Sequence, residues 1–331
     1  MDFSIIIPTF QRRDLVLSNV MALSRQSFTG TFEVIVVVDG STDGSVPALR
    51  RLDTRFPLTV IEQSNQGIAA ARNRGAAEAV GEFLLFLDDD MEADSRLVSE
   101  HAAAHMVGAD VVTGHVPLHP RSPGNFLSDS VGAWAEDRAK LLVSASDNPD
   151  FLEVVGGQLS ISRRLFLELH GFDSEFTKNG TFGNEDRDLV CRLLDAGHKV
   201  VFSPTAVSWQ IYVVTPRQFL RNYRQAGAAD VYLARKHPGR AVRIFNPECV
   251  ETFRDRYIWR WLRVPLRCLV LSLLEVGKKG PRYERMFWWV WRLEYCQGVR
   301  DGQRNIRKRA AANREDSRRG ETSINGASHT H

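Results

Sequence analysis

Apolar segments alternate with segments of helical spacing along the first ninety residues of the chain. Four short segments of the kind typical of strands buried on both faces lie at residues 3–7, 32–38, 58–61 and 83–87. Between them, residues 14–23 place apolar side chains at helical spacing, and the alanine-rich residues 68–79 end before Gly81. This alternation predicts a mostly parallel sheet with right-handed crossovers and helices on its faces.

Beyond residue 95 the pattern becomes weaker. It predicts strands at 111–116 and 199–202 and helices at 162–169, 186–196 and 217–236. We therefore divide the chain into an α/β domain at residues 1–215, a helical segment at 216–300 and a tail at 301–331. The tail is polar and rich in arginine, and this composition predicts disorder.

Residues 254–291 combine basic side chains with aromatic ones, among them Trp261, Trp288 and Trp291. Helices of this composition can lie on an anionic membrane surface. They can equally pack their aromatic face against the rest of the protein or in a homodimer interface. Peripheral membrane contact, homodimer contact and acceptor binding are therefore all expected roles for residues 216–300.

Composition narrows the class of protein. Hydrophobic residues make up 43% and charged residues 25% of the chain, and a net charge of +3 is too small to indicate nucleic acid as a partner. The four cysteines lie far apart without metal-ligand spacing, which favours free thiols in a reducing compartment. Neither a signal-peptide pattern nor an apolar stretch of about 20 residues is present. We expect a cytoplasmic protein, with peripheral contact at the inner face of the membrane as a further expectation.

Three consecutive aspartates, Asp88, Asp89 and Asp90, directly follow the apolar segment 83–87. Open α/β sheets bind ligands at the carboxyl ends of their strands, and adjacent like charges need a counter-charge. Mg²⁺ and Mn²⁺ prefer oxygen ligands such as carboxylates and substrate phosphates. If the strand continues through the aspartates, Asp88 and Asp90 share one face and Asp89 points elsewhere. The alternative is a solvated acidic turn.

Three further residues carry candidate chemistry, and each also has an ordinary structural explanation. Asp39 ends the second apolar segment and suits the imide N–H of a uracil-like base, but aspartate before glycine is also typical of a turn. Arg72, on the second predicted helix, suits a diphosphate or simply faces solvent. Asp186, at the start of a predicted helix, suits a general base or complements the helix dipole.

Two histidine pairs, His101 with His105 and His115 with His119, have the i,i+4 spacing of metal ligands on a helix. Neither has the glutamate that accompanies such a pair in metalloproteases. For His101 and His105 we expect a solvated helix face.

Five motifs follow one another along the chain. They are Ile-Ile-Ile-Pro-Thr-Phe at 5–10, Val-Val-Val-Asp-Gly-Ser-Thr-Asp-Gly at 36–44, Asn65 with Ala-Arg-Asn-Arg-Gly at 71–75, Phe-Leu-Asp-Asp-Asp at 86–90 and Glu-Asp at 185–186. In this order they resemble family 2 glycosyltransferases of the GT-A fold, over about residues 3–205. The resemblance implies a Rossmann-like α/β domain with a mostly parallel sheet flanked by helices, followed by a helical C-terminal extension.

The same resemblance implies an inverting transferase that takes a nucleoside-diphosphate sugar, with UDP-sugar preferred, and uses Mg²⁺ or Mn²⁺. Its acceptor would be a hydroxyl of a glycan, a lipid-linked molecule or a small molecule. Asp90 and Asp88 match the metal-binding aspartates and Asp186 the catalytic base, while Gln210 stands where many members have a histidine. The positions assigned to nucleotide binding are Thr9, Phe10, Asp39, Arg72, Asp88 and Asp89.

Two other classes of protein are alternatives. A sugar nucleotidyltransferase would carry a glycine-rich loop directly after the first strand, whereas residues 8–12 contain no glycine. A catalytically inactive nucleotide-binding module would recruit partners through the C-terminal segment. The presence of Asp88, Asp90 and Asp186 together argues against that module.

Overall fold

The structure is a computed structural model that describes residues 1–145, 149–178, 183–245, 260–275 and 280–326. The chain divides into two compact units, Met1–Thr215 and Pro216–His331. We describe each unit by itself.

Within the described part of the first unit, eight strands form one sheet in the order β3-β2-β1-β4-β7-β6-β8-β5. The strands are β1 Phe3–Thr9, β2 Phe32–Asp39, β3 Leu58–Gln63, β4 Phe83–Leu87, β5 Met91–Ala93, β6 Val111–His115, β7 Gln158–Ser162 and β8 Val200–Gln210. Strands β1 to β4 are parallel, and β6 is parallel to β8. In contrast, β7 runs antiparallel to β4 and β6, and β5 antiparallel to β8.

Helices cover the sheet. The helices of the first unit are α1 Arg13–Leu23, α2 Ser45–Leu49, α3 Ile68–Glu78, α4 Leu97–Met106, α5 Phe126–Ala145, α6 Arg163–Glu168 and α7 Glu185–Asp195. Every residue of β1 is buried. On one face, Ile5 and Ile7 of β1 share a core with Val16 and Val20 of α1. Because these strands are buried on both faces, their sequences are nearly continuous apolar segments.

The predicted α/β fold with a mostly parallel sheet is confirmed, but β7 was not predicted. Its sequence places Gln158 and Ser160 between apolar residues, and both polar side chains are fully buried. The segment does alternate polar and apolar residues, but over only five residues, and such alternation ordinarily indicates a strand with one solvated face. Burial is tolerated because each polar group has a hydrogen-bond partner.

A buried chain of hydrogen bonds connects α4 with β7. His105 donates from Nδ1 to the carbonyl of Ala109 (2.8 Å), so its Nε2 accepts from the Ser160 hydroxyl (2.7 Å). Ser160 in turn accepts from Nδ1 of His101 (2.7 Å), and the Gln158 amide donates to Nε2 of His101 (3.2 Å). Both imidazoles are therefore neutral.

The expectation of a solvated helix face at His101 and His105 is wrong, because both side chains are buried. Burial lowers the pKa of His101 to about 3, and His105 lowers it further. Burial also lowers the pKa of His105, against the hydrogen bond to Ala109. The i,i+4 spacing here serves a polar network inside the fold.

The second unit contains four α-helices in its described part: α8 Pro216–Lys236, α9 Ala241–Ile244, α10 Arg260–Glu275 and α11 Pro281–Gly326. Glycines let α8 and α11 approach closely, since a Cβ on Gly298 would lie only 1.9 Å from the Arg224 carbonyl oxygen. Trp288 and Trp291 of α11 pack edge-on against Phe219 and Tyr223 of α8. Packing within the unit thus accounts for these two tryptophans.

Helix α11 continues through residues 301–326, where disorder was expected, and these residues are rich in the strong helix formers Arg and Ala. Trp261 of α10 is 74% exposed, whereas the neighbouring residues 254–259 of the basic aromatic segment lie outside the described part. None of the helices in the described ranges is long and apolar enough to cross a membrane.

The buried histidine network predicts an acid-sensitive contribution to stability. Because folding depresses the pKa of His101 from about 6.5, its contribution is present above pH 6.5 and is lost as pH falls towards its folded pKa. In urea unfolding, the wild-type protein should therefore lose about 2 kcal/mol relative to His101→Gln between pH 7 and pH 5. Other groups titrate in both proteins and cancel in this difference.

The exposed His170, whose φ is +60°, offers a matched control. Asparagine tolerates this conformation, so His170→Asn removes an exposed imidazole without straining the backbone and is compared over the same pH range. A difference for His101→Gln that is independent of pH would contradict the neutral network.

Candidate active site

The carboxyl ends of three neighbouring parallel strands bring most of the candidate residues to one edge of the sheet. Thr9 ends β1, Asp39 ends β2 and Asp88 follows β4, and β1 lies between the other two strands. The crevice at such an edge is where open α/β sheets bind their ligands. These side chains therefore lie at the same edge of the sheet because their strands are neighbours.

The three aspartates lie on a turn and not on an extended strand. Strand β4 ends at Leu87, and the amide of Met91 donates to the carbonyl of Asp88 (3.2 Å). The alternation that we expected to pair Asp88 with Asp90 therefore does not apply. Asp89 and Asp90 instead share one counter-ion, and Asp88 has another.

Arg12 is the counter-ion of Asp89 and Asp90. Its Nη1 lies 3.0 Å from Asp89 Oδ1 and 3.3 Å from Asp90 Oδ2, and the Thr9 hydroxyl donates to Asp89 Oδ2 (2.8 Å). Burial raises the pKa of Asp90 to about 7, with Asp89 and Asp88 raising it against Arg12. The pKa of Asp89 is also raised by burial, although Arg12 and Thr9 oppose this. The pair is thus short of positive charge.

Arg72 joins the aspartate turn to the start of α7. Its guanidinium is almost fully buried and lies 2.6 Å from Asp88 Oδ1 and 2.9 Å from Glu185 Oε1. Although burial lowers the pKa of Arg72, Asp88 and Glu185 raise it more. Burial and the neighbouring Asp186 raise the pKa of Glu185 to about 7, against Arg72. The alternative of a solvent-facing Arg72 is wrong, because the side chain is buried and pairs with carboxylates far apart in sequence.

Asp186 lies in the first turn of α7. The backbone amide of Gly156 donates to its Oδ2 (2.8 Å), and the amide of Arg187 donates to its Oδ1 (2.7 Å). A Cβ on Gly156 would lie 2.8 Å from the Cβ of Asp186, and one on Gly157 would lie 2.8 Å from Asp88 Oδ2. Only glycine therefore allows this loop to pass between the two carboxylates.

Asp39 has a structural task of its own. Its Oδ1 accepts hydrogen bonds from the side chain of Gln63 and the amide of Gln66, and its Oδ2 accepts from the amide of Gly67, all at 2.8 Å. A carboxylate has about four acceptor sites, so one remains on Oδ2. Phe10 is 47% exposed at the same edge of the sheet, just beyond β1.

Two arginines beside these groups were not predicted from sequence: Arg12, and Arg138 of α5. Arg12 follows β1 by three residues and reaches Asp89 across 77 positions. Only the convergence of strand ends could have indicated it. Arg138 contacts backbone and hydroxyl groups whose proximity depends on the loop before β7. No local pattern marks it.

The aspartate turn suits a hard divalent cation in its donor chemistry. Asp90 Oδ1 is buried and has no hydrogen-bond partner, and Asp88 Oδ2 makes no hydrogen bond to a described residue. Among the described residues, no group of three or more His, Cys, Asp or Glu side chains is arranged to hold a metal. Gln210 donates to Asp90 Oδ2 (3.4 Å), at the position where a histidine was considered. The protein thus offers two carboxylates, which is what Mg²⁺ typically uses with substrate phosphates.

Comparison with known proteins defines the class. The sequence model of glycosyl transferase family 2 matches residues 4–169, and that of the N-terminal domain of galactosyltransferase matches residues 148–214. The chain belongs to glycosyl transferase family 2. This membership leaves the sugar nucleotidyltransferase alternative without support.

Several curated relatives are also named as glycosyltransferases. Validoxylamine A glucosyltransferase of Streptomyces hygroscopicus subsp. jinggangensis is 28% identical over 268 residues, which cover 73% of this chain and 62% of the relative. GalNAc(5)-diNAcBac-PP-undecaprenol beta-1,3-glucosyltransferase of Campylobacter jejuni is 29% identical over 187 residues, 55% of this chain and 56% of the relative. An uncharacterized glycosyltransferase of Bacillus subtilis, YfnE, is 37% identical over 106 residues, 32% of this chain and 27% of the relative. This chain therefore matches less than two thirds of the length of each.

Solved structures confirm the GT-A-type fold. Staphylococcus aureus TarS 1–349 superposes with a TM-score of 0.54 at 16% identity, covering 92% of both chains. The mannosyltransferase PcManGT of Pyrobaculum calidifontis, in complex with GDP-Man and Mn²⁺, superposes with a TM-score of 0.59 at 17% identity, covering 91% of this chain and 86% of PcManGT. At these identities the likeness concerns the fold alone.

Removal of Arg72 should destabilise the protein strongly. The Arg72→Met variant leaves Asp88 and Glu185 without their shared buried counter-charge, so the free energy of unfolding should fall by about 3–5 kcal/mol. Urea unfolding at pH 7.5 measures this loss.

Arg74, on the same helix, provides the control. It forms an exposed i,i+4 pair with Glu78, so Arg74→Met should cost less than about 1 kcal/mol. Equal losses for the two variants would show that the buried bridge does not stabilise the site.

Proposed function

We propose that this chain is a glycosyltransferase that moves a sugar from a nucleoside-diphosphate sugar to an acceptor hydroxyl with inversion at the anomeric carbon. The observation that carries the proposal is the framework around Arg72. It links the Asp88 carboxylate at the end of β4 to Glu185, which directly precedes Asp186. The carboxylates at the sheet edge and the candidate base are thereby positioned by the same buried guanidinium.

A nucleotide site at the sheet edge follows from the groups assembled there. Thr9, Phe10, Asp39, Asp88 and Asp89 lie at or just beyond three adjacent strand ends, and Arg72 lies beneath them on α3. The remaining acceptor site of Asp39 suits the imide N–H of uracil. Among structural neighbours, TarS has been solved with UDP and with UDP-GlcNAc, which supports a UDP-sugar as donor. PcManGT, with GDP-Man, makes GDP-sugars the competing choice.

The metal in this proposal is Mg²⁺ or Mn²⁺, held by Asp90 and Asp88. When bound, the cation would offset negative charge on the diphosphate as it leaves. The Mn²⁺ in the PcManGT complex supports this choice. Arg12 now neutralises Asp89 and Asp90 in part, and the orphaned Asp90 Oδ1 leaves a carboxylate oxygen for the cation.

Asp186 is the proposed general base. Its oxygens accept from the amides of Gly156 and Arg187, which fix the carboxylate in place and leave lone pairs for an acceptor hydroxyl. The base removes the hydroxyl proton as the oxygen attacks C1 of the sugar. Attack from the side opposite the diphosphate inverts the anomeric configuration.

The acceptor is proposed only by class, as a hydroxyl of a glycan, a lipid-linked molecule or a small molecule. The names of relatives support this range, since they include an undecaprenol-linked glycan, poly(ribitol-phosphate) and validoxylamine A. Residues 216–300 are proposed to contribute acceptor, homodimer or peripheral membrane contacts. The exposed Trp261, Val264 and Leu269 of α10 are the surface for such contacts.

The Asp186→Asn variant tests the catalytic assignment. Asparagine keeps the size of the side chain but cannot take up a proton at neutral pH, so transfer should fall by about 100-fold or more. Release of nucleoside diphosphate from UDP-sugar and GDP-sugar donors, with mixed glycan and polyol acceptors, measures this. A matched control is Asp195→Asn at the exposed end of the same helix, which should keep wild-type turnover. Full turnover by Asp186→Asn would refute the assignment.

A further inference from the structure

Arg138 of α5 is a buried charge that the proposed mechanism does not use. Among the described residues, two arginines are about 2% exposed, Arg72 and Arg138. Arg72 is held between two carboxylates, as its burial requires. Arg138 takes part in none of the ion pairs found among the described residues. A buried guanidinium without a carboxylate partner is costly to the fold and calls for an explanation.

The hydrogen bonds of Arg138 orient it without neutralising it. Its Nε donates to the carbonyl of Glu153 (2.5 Å), and its Nη2 donates to the hydroxyl of Thr113 (3.3 Å). Nη1 makes no hydrogen bond to a described residue and is not fully buried. One nitrogen of a rigid, preoriented fork is therefore left for a ligand.

The position of Arg138 places it beside the candidate base. Glu153, whose carbonyl it contacts, lies three residues before Gly156, and Gly156 donates to Asp186. Thr113 in turn donates to the carbonyl of Gln158, just after that loop (3.2 Å). Burial lowers the pKa of Arg138 to about 10, while Glu153 and Asp186 raise it. The guanidinium therefore stays charged and feels the Asp186 carboxylate.

A second polar group without a partner lies close by. His115 is two residues beyond Thr113, and its Nδ1 is buried without a hydrogen bond to any described residue. Its Nε2 lies 3.4 Å from Glu136 of α5. Burial lowers the pKa of His115, and Arg138 lowers it further against Glu136. The positive charge of Arg138 thus also acts on the His115 imidazole, whose Nδ1 lacks a partner among the described residues.

We propose that Arg138 is the centre of a subsite for an anionic group, a phosphate or a carboxylate, carried by the acceptor. The proposal rests on the assignment of Asp186 as the base, because the base defines the side from which an acceptor hydroxyl approaches. Arg138 is preoriented by Thr113 and the Glu153 carbonyl, and an anion on the acceptor supplies the missing partner. The subsite selects acidic acceptors over neutral ones of the same shape.

Saturation-transfer NMR with small probes tests the subsite without knowledge of the natural acceptor. Glycerol 3-phosphate and glucuronate represent the phosphate and carboxylate sources, and glycerol and glucose are their neutral counterparts. All titrations contain UDP and Mn²⁺. We expect the wild-type protein to bind at least one anionic probe at least tenfold more tightly than its neutral counterpart. Which of the two binds identifies the source.

Three variants on or near α5 complete the test. Arg138→Gln should lose tenfold or more in affinity for the anionic probe, and Arg138→Lys should recover part of it. Lys140→Gln removes the same charge from an exposed position of the helix and should change nothing. UDP binding should be unchanged in all three variants, which separates a failure of this subsite from a failure of the donor site.

Two results would overturn the proposal. One is that neither anionic probe binds the wild-type protein better than its neutral counterpart. This result can be obtained even if Arg138→Gln does not fold. The other is that a folded Arg138→Gln protein binds the anionic probe as well as the wild type, which would leave Arg138 a purely structural residue.

Discussion

The site depends on one buried arginine. Arg72 lies between Asp88, which follows β4, and Glu185, which begins α7, and these two elements are about a hundred residues apart in sequence. Glu185 is buried and Asp88 is partly buried, so each would be costly without a counter-charge. The guanidinium pairs with one oxygen of each and stacks at 5.4 Å over the Phe172 ring. The contacts of Arg72 therefore hold the aspartate turn and the residue next to Asp186 in place together.

Charge at this edge is balanced only in part. Four carboxylates, those of Asp88, Asp89, Asp90 and Glu185, face two arginines, Arg12 and Arg72. The raised pKa values of Asp90 and Glu185, each about 7, express that shortage together with burial. A divalent cation would supply the missing positive charge at one end. At the other end Arg138 has the opposite shortage, a buried positive charge without an anion.

Sequence patterns predicted the parts of this arrangement that are local. Continuous apolar segments reveal strands buried on both faces, and a strand's end reveals where its polar residues must lie, so the edge with Thr9, Asp39 and Asp88 could be expected. Alternation failed at Asp88–Asp90 because the chain turns directly after Leu87. The pairing of Arg12 with Asp89 could not be predicted, since it depends on how separate strand ends converge.

Buried polar groups were the other source of error. His101 and His105 were expected on a solvated face because histidines at helical spacing give no sign of what covers them. Their partner Ser160 lies on β7, a five-residue strand that was not predicted. Polar residues are interpreted as exposed by default, and only the tertiary structure shows that each has a partner.

We propose that the aspartate turn binds a nucleoside diphosphate together with a divalent cation. Isothermal titration of UDP and GDP, with and without Mn²⁺, into the wild-type protein and Asp90→Ala measures this binding. We expect one of the nucleotides to bind the wild type at least tenfold more tightly with Mn²⁺, and Asp90→Ala to lose this gain. Absence of nucleotide binding, or an equal gain from Mn²⁺ in Asp90→Ala, would contradict it.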